Sequence, residues 1–595
     1  MMCSSSRYKY SFLFIFLFLL LLSIGTSTAC KDIIATGNST AGEYNLLLKV
    51  RDPSRAGLQV LTRIPIGYEY TYHHPWTGKP IDFQVEHTYI GVTSEEDTPP
   101  NIVKSGMVLT DAGLAYGDAD SLSRWINPSP FAWDDFDWIR YSCEQAHNET
   151  EAVNYLTKKA VDQLHATGVS ENLCLVGPEK GYLIEADAYR YHTKEIIDDI
   201  DVISNYPRQL WDTQLVRSRF IAESYDAVST KTVRRGDCIH LSGLARIRIL
   251  DVTPNSVKVK QIPFFTNVGY HDGKPSFFMP PESVTLSDSK TIGDFYVTLQ
   301  NISGNFARIR LTTAVYAWEQ SMLDRIMQRK GNITVSDMME WSRLQFKDVN
   351  DIRPMCEATY SFEGVAIYEI PQSNYEYLSK GWFSPNRACS SIYVPFHNSN
   401  IDIFNPYETG EAAEISLSLY QNYSDQLLPI IKSIEDVFIT ENSYFDKWAK
   451  ETNQSDTIKA EVLTTIDTTM QQQAWIMQRL FYNISFLEEN QKDILLTYTQ
   501  DLWEENYEIT LSSMSSVLKQ IDLSEKNEAF KNDIVELMKL TPDCYINVIE
   551  TIGFPSDDLQ ILCMLGEKFL SEEKYDEAAG MFQYIVQQVK DKLSE

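Results

Sequence analysis

Ala29-Cys30-Lys31-Asp32-Ile33-Ile34-Ala35-Thr36 and, after a short polar stretch, Tyr44-Asn45-Leu46-Leu47-Leu48-Lys49-Val50-Arg51-Asp52 form the segment on which the fold turns. The first run opens a strand, Asn38 to Gly42 reads as a turn, and the second run returns as a strand, so the pair predicts a β-hairpin. Such a hairpin carries Asp52 back towards Cys30. Upstream, Arg7 and Lys9 supply a positive start and Phe12 to Leu22 is an unbroken apolar run of signal-peptide length. Ser27 and Ala29 put small residues at the positions a signal peptidase reads. Residues 1–29 therefore read as a signal peptide, with Cys30 as the first residue of a secreted, extracytoplasmic chain. A lipoprotein signal acylated at Cys30 is the alternative, although Ser27 stands where such signals usually carry a large aliphatic residue.

A cysteine at a free amino terminus has a base beside its thiol. The α-amine has an unperturbed pKa of about 8, low enough to be partly neutral at working pH, and it lies within one residue of the sulfur it would deprotonate. Cys30 is thus a candidate nucleophile.

Composition narrows the remaining classes. A chain of 595 residues with 43% hydrophobic and 12% aromatic side chains folds as an ordinary globular protein. A net charge of −30 leaves no clustered positive surface for nucleic acid. No later segment approaches 18 consecutive apolar residues, so membrane contact is expected only through the signal peptide. The nine cysteines show no CxxC spacing, which removes zinc and thioredoxin-like readings; Cys356 with Cys389 and Cys544 with Cys563 are the pairs expected first. No metal or cofactor is expected. His73-His74-Pro75-Trp76 and His87 lack ligand spacing, and Gly106, Gly113 and Gly117 make no phosphate loop. Trp133-Asp134-Asp135-Phe136-Asp137-Trp138 has the chemistry to bind a cation or a ligand amine, but reads first as an exposed acidic loop with aromatic anchors.

The pattern along the chain changes twice. From Cys30 to about Pro207 short strands alternate with turns and one helical stretch, Ala152 to Leu164; strands are expected over Leu173 to Val176, Gly181 to Ala186 and Val202 to Ser204. A β-rich insertion is expected over about 230–275, where Ile247 to Val252 and Ser256 to Lys260 alternate at period two around Thr253-Pro254-Asn255. Strand signals fade beyond Ile415, and amphipathic helices take over. Among them are the run from Ile458 to Ile484 and a pair of helices around Ser571-Glu572-Glu573-Lys574. The expected division is 30–425 for an α+β catalytic region and 426–595 for a C-terminal helical region packed on it. Those helices are also the expected surface for a second copy or another partner.

Four landmarks occur in an order that carries a family resemblance. They are Ala29-Cys30 with its hairpin, Leu46-Leu47-Leu48-Lys49-Val50-Arg51-Asp52, Leu109-Thr110-Asp111-Ala112-Gly113-Leu114-Ala115, and Glu185-Ala186 followed by Val202-Ile203-Ser204-Asn205-Tyr206-Pro207. In this the chain resembles the cysteine dipeptidase family of N-terminal-nucleophile (Ntn) hydrolases, which includes bacterial dipeptidase A and the secernins. Weaker similarity runs through Trp382-Phe383-Ser384-Pro385 and Ser391-Ile392-Tyr393-Val394-Pro395, so the resemblance covers roughly Cys30 to Tyr420. It implies a four-layer αββα sandwich and hydrolysis of the amide bond of a short peptide through a thioester acyl-enzyme. It gives Cys30 the role of nucleophile and its amine that of base. Asp52 would steady the amine, and Asn205 would bind the oxyanion. Lys49, or Arg51 under a shifted alignment, would set a positive charge near the thiolate, and Thr110-Asp111 would take the place of an Asn-Glu pair near the substrate. The chain departs from the family in carrying Lys49 for arginine and Thr110 for asparagine. Two alternatives stand beside the dipeptidase reading: an acylase or acyltransferase of the bile-salt hydrolase or penicillin acylase type, and a non-catalytic surface or binding protein that keeps the fold.

Overall fold

The computed structural model describes residues 30–594 apart from 52–56, 122, 124, 206, 211–227, 242–244, 264–269, 272–273, 276–281, 286, 293–294, 346–354, 357–363, 505 and 522–524. The expected signal peptide and Asp52 lie outside the described residues.

Two antiparallel sheets organise the larger of two compact units. In chain order their strands are β1 (Lys31–Ala35), β2 (Tyr44–Arg51), β3 (Gln59–Ile64), β4 (Tyr89–Ser94), β5 (Ser105–Thr110), β6 (Ala115–Asp120), β7 (Glu171–Val176), β8 (Gly181–Ala186), β9 (Tyr191–Ile196), β10 (Ile200–Ile203), β11 (Gly364–Pro371), β12 (Lys380–Ser384) and β13 (Val394–His397). The six-stranded sheet runs β10-β1-β2-β11-β12-β13 and the seven-stranded sheet runs β9-β8-β7-β6-β5-β4-β3. The expected hairpin is therefore β1 and β2, with Asp32 opposite Lys49.

Side-chain alternation shows how the sheets are covered. On β5, Met107 and Leu109 pack with Ile33 and Leu48 of the other sheet, while Val108 packs with Trp138 and Leu156. On β7, Cys174 and Val176 take the first side and Leu173 and Leu175 the second. Successive residues of a strand face opposite ways, so the seven-stranded sheet is buried on both faces except at its edge strand β9, where residues 192–195 are exposed, and inner strands such as β5 and β7 read as nearly continuous buried runs. The helices behind it are α1 (Asp135–Cys143) and α2 (Glu149–Asn154), the latter continuing over Tyr155–Gln163 in wider turns of π type. The acid-aromatic stretch at 133–138 is thus not an exposed loop. Asp134 caps α1 reciprocally with Asp137, satisfying two otherwise orphaned N–H groups, and Phe136, Asp137 and Trp138 are buried.

Against the six-stranded sheet pack α3 (Val335–Ser342), α4 (Glu411–Glu451) and α5 (Asp456–Ser485). Beyond them follow α6 (Glu489–Gln500), α7 (Tyr507–Gln520), α8 (Glu525–Thr551), α9 (Asp557–Ser571) and α10 (Tyr575–Ser594). The helical region begins at Glu411, earlier than the expected 426, and shares one compact unit with the sheets because α4 and α5 lie directly on β13. No described helix is long and apolar enough to cross a membrane.

The insertion is larger than the expected 230–275. Its strands run from Val228 to Thr313 and form a compact unit of their own, built from two four-stranded antiparallel sheets around Ile247, Ile249, Val257, Leu299 and Ile309. Cys356 and Cys389 are disulfide-bonded, as expected first. Cys544 and Cys563 are not bonded to each other; both are free, and Cys563 Sγ instead lies 3.3 Å from Asp543 Oδ1.

Candidate active site

Cys30 is 8% exposed and sits at the leading end of β1. The two ladders that flank β1 fix its neighbours. Asp32 is opposite Ile203 on one side and Lys49 on the other, so two steps back along each register bring Cys30 level with Asn205 and Arg51. Ser204 secures the place: its Oγ donates to the Cys30 carbonyl at 2.7 Å. Ser204 is itself held by Glu319 Oε1, which accepts its N–H at 2.8 Å, and by Asn172 Nδ2, which donates to its carbonyl at 2.6 Å. Burial pushes the Glu319 carboxyl up to about 7, against the pull of Arg208.

Lys49 is the cation at the sulfur. Its fully buried ammonium is within hydrogen-bonding reach of the Cys30 side chain, 3.3 Å from Asp118 Oδ1 and 3.6 Å from Asp32 Oδ2, and it also donates to the Asp118 carbonyl. Burial alone would discharge it, but Asp118, Asp32 and Cys30 outweigh that effect and hold its pKa well above the ordinary lysine value. Asp32 shifts the other way for an acid. Burial pushes it up to about 8, opposed by Lys49 and assisted by Asp118. Room for these carboxylates comes from two glycines of the facing sheet. A Cβ on Gly117 would stand 2.6 Å from Asp32 Oδ1, and one on Gly106 would stand 2.5 Å from Asp118 Oδ1.

The other expected residues divide. Arg51 is buried, but its Nη1 donates to Gln59 Oε1 at 2.7 Å and its guanidinium lies 4.9 Å over the Phe136 ring, so of the two expected cations Lys49 is the one at the thiol. Asn205 stands beside Cys30 as expected. Its Nδ2 donates to the Asp120 carbonyl at 2.9 Å, and its Oδ1 accepts from Ser204 Oγ at 3.3 Å. Thr110 and Asp111 are not brought to Cys30. Gly106 is the residue of β5 that meets Asp118, and Thr110 lies four residues further along, about 13 Å at strand rise. There Asp111 accepts from the Thr88 N–H at 2.9 Å and pairs with His87 Nδ1 at 2.6 Å, while the Thr110 carbonyl accepts from Asn398 Nδ2 at 3.2 Å. These contacts build the turn into β6. Its far end, Asp118 and Asp120, is what approaches the cysteine.

Sequence reading missed Asp32, Asp118 and Ser204. Asp32 did carry a signal, an acid two residues after the cysteine in an otherwise apolar strand. Among the described residues one further group of acids has metal-ligand spacing: Asp120, Asp135 and Glu171, with oxygens within 4.8 Å of one another. It was invisible as a motif because its members come from β6, α1 and β7.

No family model matches the chain, and no curated protein matches it in sequence. Among solved structures it is similar to the penicillin V acylase from Agrobacterium tumefaciens, at 13% identity and a TM-score of 0.20, over 28% of this chain and 49% of that one. The chain therefore spans about half the length of that acylase. It is also similar to a mutant of the conjugated bile acid hydrolase from Clostridium perfringens, at 9% identity and a TM-score of 0.29, over 63% of this chain and 90% of that one.

Proposed function

We propose that this chain is a secreted amide-bond hydrolase of the Ntn type, with Cys30 as its nucleophile and dipeptides or short peptides as its substrates. The two sheets and the helices packed on them serve as the four-layer αββα sandwich of that class. The observation that carries the reading is the buried Lys49 ammonium at the Cys30 sulfur, pinned there by Asp118 and Asp32. A cation in that place favours thiolate over thiol, and a purely structural lysine has no need of a sulfur partner.

Removal of residues 1–29 would free the Cys30 amine. That amine takes the thiol proton as sulfur bonds to the substrate carbonyl carbon, and the carbonyl oxygen becomes an oxyanion. Asn205, two residues past β10 and level with Cys30, offers its amide to that oxyanion, a type of contribution worth about 3 kcal/mol in hydrolases. The C–N bond then breaks, with the proton passing from the cysteine amine to the leaving amine, which gives a thioester. Water attacks the thioester carbonyl, the C–S bond breaks, and the acid product and free thiol are released.

The test is intact mass together with turnover. The mature chain is expected to start at an unmodified Cys30 and to cleave a dipeptide such as Ala-Ala, with Cys30→Ala as the inactive blank. Turnover that survives Cys30→Ala would refute the mechanism, as would a lipid on the Cys30 sulfur, which removes the nucleophile, or an acyl group on its amine, which removes the base.

A further inference from the structure

Behind the seven-stranded sheet lies a cavity of about 270 Å³ that the proposed chemistry does not use. Four elements wall it. Tyr68 and Tyr70 come from the hairpin of Glu69–His73 and Pro80–Gln84, Tyr89 opens β4, Ile102 lies in the connection from β4 to β5, and Arg140 and Glu144 stand at the end of α1. The alternation of the strands sets its side. Tyr89 and Val108 pack with Trp138, whereas Ile90 and Met107 pack with Ile33 and Leu48 of the other sheet. Asp32, beside Lys49 and Cys30, lies between the two sheets against Gly117. The seven-stranded sheet therefore separates this cavity from the sulfur, and whatever fills it is not the group being cleaved.

The polar groups of the wall say what kind of ligand it takes. Arg140 and Glu144 are both buried. Tyr70 Oη donates to Glu144 Oε2 at 2.5 Å and Tyr89 Oη to Oε1 at 3.3 Å, while Arg140 Nη1 donates to the Val103 carbonyl at 3.1 Å and Nη2 to Asp137 Oδ1 at 2.8 Å. Among the described residues these bonds leave a lone pair on each carboxylate oxygen and three guanidinium N–H groups, so acceptor and donor stand side by side. Ionic ligands fit poorly. An anion would meet Glu144 and Glu69, with Arg140 already paired to Asp137. A cation would meet Arg140, and burial pushes the Glu144 carboxyl up to about 7 against the pull of that arginine, which weakens it as a counter-charge. What remains is a neutral group that donates and accepts at once, as hydroxyls do. The tyrosine rings and Ile102 supply apolar surface for the C–H face of a ring. Since a cavity of about 150 Å³ lodges one benzene, this one takes a single six-membered ring with its substituents.

We infer that this cavity binds one neutral sugar ring, either a free monosaccharide or the last residue of a glycan, with Arg140 and Glu144 on its hydroxyls. The inference goes beyond the hydrolase reading and does not depend on it, because the sheet stands between the two places.

The test is calorimetry on the mature protein with glucose, galactose, mannose and N-acetylglucosamine, each also as its methyl glycoside. At least one is expected to bind with a dissociation constant on the order of 1 mM, as suits a ligand of about twelve non-hydrogen atoms. Ile102→Trp, which fills the cavity from a half-buried position, should abolish this binding. Glu144→Gln should weaken it about tenfold through the lost charge-assisted hydrogen bond. Both variants should keep the wild-type rate of Cys30 alkylation by iodoacetamide, which separates a lost site from a collapsed fold. Equal affinity for sugar and methyl glycoside assigns the cavity to the end of a glycan, and loss of affinity in the glycoside assigns it to the free sugar; either upholds the site. The inference is overturned if no sugar binds the wild type, if either folded variant binds as the wild type does, or if benzoate, benzylamine or benzamide binds more tightly than every sugar. Should Ile102→Trp fail to fold, Glu144→Gln decides alone. A chain that cleaves no amide yet binds the sugar would sink the hydrolase reading and leave this site standing.

Discussion

Lys49 Nζ stands 3.3 Å from Asp118 Oδ1 and 3.6 Å from Asp32 Oδ2, with Lys49 and Asp32 wholly out of solvent. Removing the lysine leaves two acids facing each other in the interior. Lys49→Met is expected to cost about 3–5 kcal/mol in urea unfolding, the range for breaking a buried pair from one side. Lys49 also faces the sulfur, so the pH profile of Cys30 alkylation should move to higher pH in this variant. Lys49→Met with Asp118→Asn should recover part of the stability and none of the reactivity. Recovery of both would make the lysine structural only.

A second buried charge cluster sits where β13 meets the helices. His397 lies 2.8 Å from Asp467 and 2.9 Å from Asp446, and Lys380 bonds Asn442 at 3.0 Å. Burial opposes the charge on His397, but the two acids overturn it and raise its pKa from 6.5 to about 9. The folded state thus keeps a proton that the unfolded chain releases above 6.5. The resulting stability, on the order of 3 kcal/mol, is fully present below pH 6.5 and lost as pH rises through 9. Melting temperature measured from pH 6 to 9.5 should show this fall, and His397→Gln should remove this component of it.

Arg343, just past the end of α3, forks onto Glu435 of α4 at 2.6 and 2.8 Å, and both side chains are buried. Arg343 Nε also donates to the Ala388 carbonyl at 2.7 Å, and Glu435 Oε1 accepts from the Tyr393 N–H at 2.8 Å. Glu435→Ala should destabilise by about 3–5 kcal/mol because it strands the guanidinium. Arg343→Met with Glu435→Leu should cost clearly less than the sum of the two single changes. A double-mutant cycle in urea checks this.

Cys356 and Cys389 close a loop of 33 residues, which by chain entropy stabilises the fold by about 4 kcal/mol. Dithiothreitol should lower the melting temperature of the wild type and leave that of Cys356→Ser with Cys389→Ser unmoved, since no other disulfide joins the described cysteines.

Much of this architecture was legible where local pattern and global role coincide. The hairpin of β1 and β2 was readable because Ile33, Ile34 and Leu46 to Leu48 form apolar runs that a doubly covered sheet requires, and it brings Lys49 to the strand beside Cys30. Asn205 was found through the order of landmarks. Thr110 and Asp111 lie at the turn between β5 and β6, away from Cys30, and the acids that approach the cysteine stand eight to ten positions downstream on β6, at Asp118 and Asp120. Ser204 left no signal, since a serine hydroxyl on a backbone carbonyl has no sequence signature. The cluster of Asp120, Asp135 and Glu171 depends on three separate elements meeting, which no spacing rule encodes. The insertion extends further because its later strands, Phe295–Ser303 and Phe306–Thr313, join through Gly304-Asn305, a turn signal at least as clear as Thr253-Pro254-Asn255 that the reading of 230–275 passed over.

The space that Gly106 and Gly117 leave for Asp118 and Asp32 makes them informative positions in a mutational scan. Alanine at either should be rejected as firmly as loss of Cys30, although neither glycine bears a reactive atom. Gly580 of α10 meets nothing within 4 Å, and alanine there should be accepted or add about 1 kcal/mol of helix propensity. Tolerance at 580 beside intolerance at 106 and 117 would record the layout of the interior charges in residues that carry no charge.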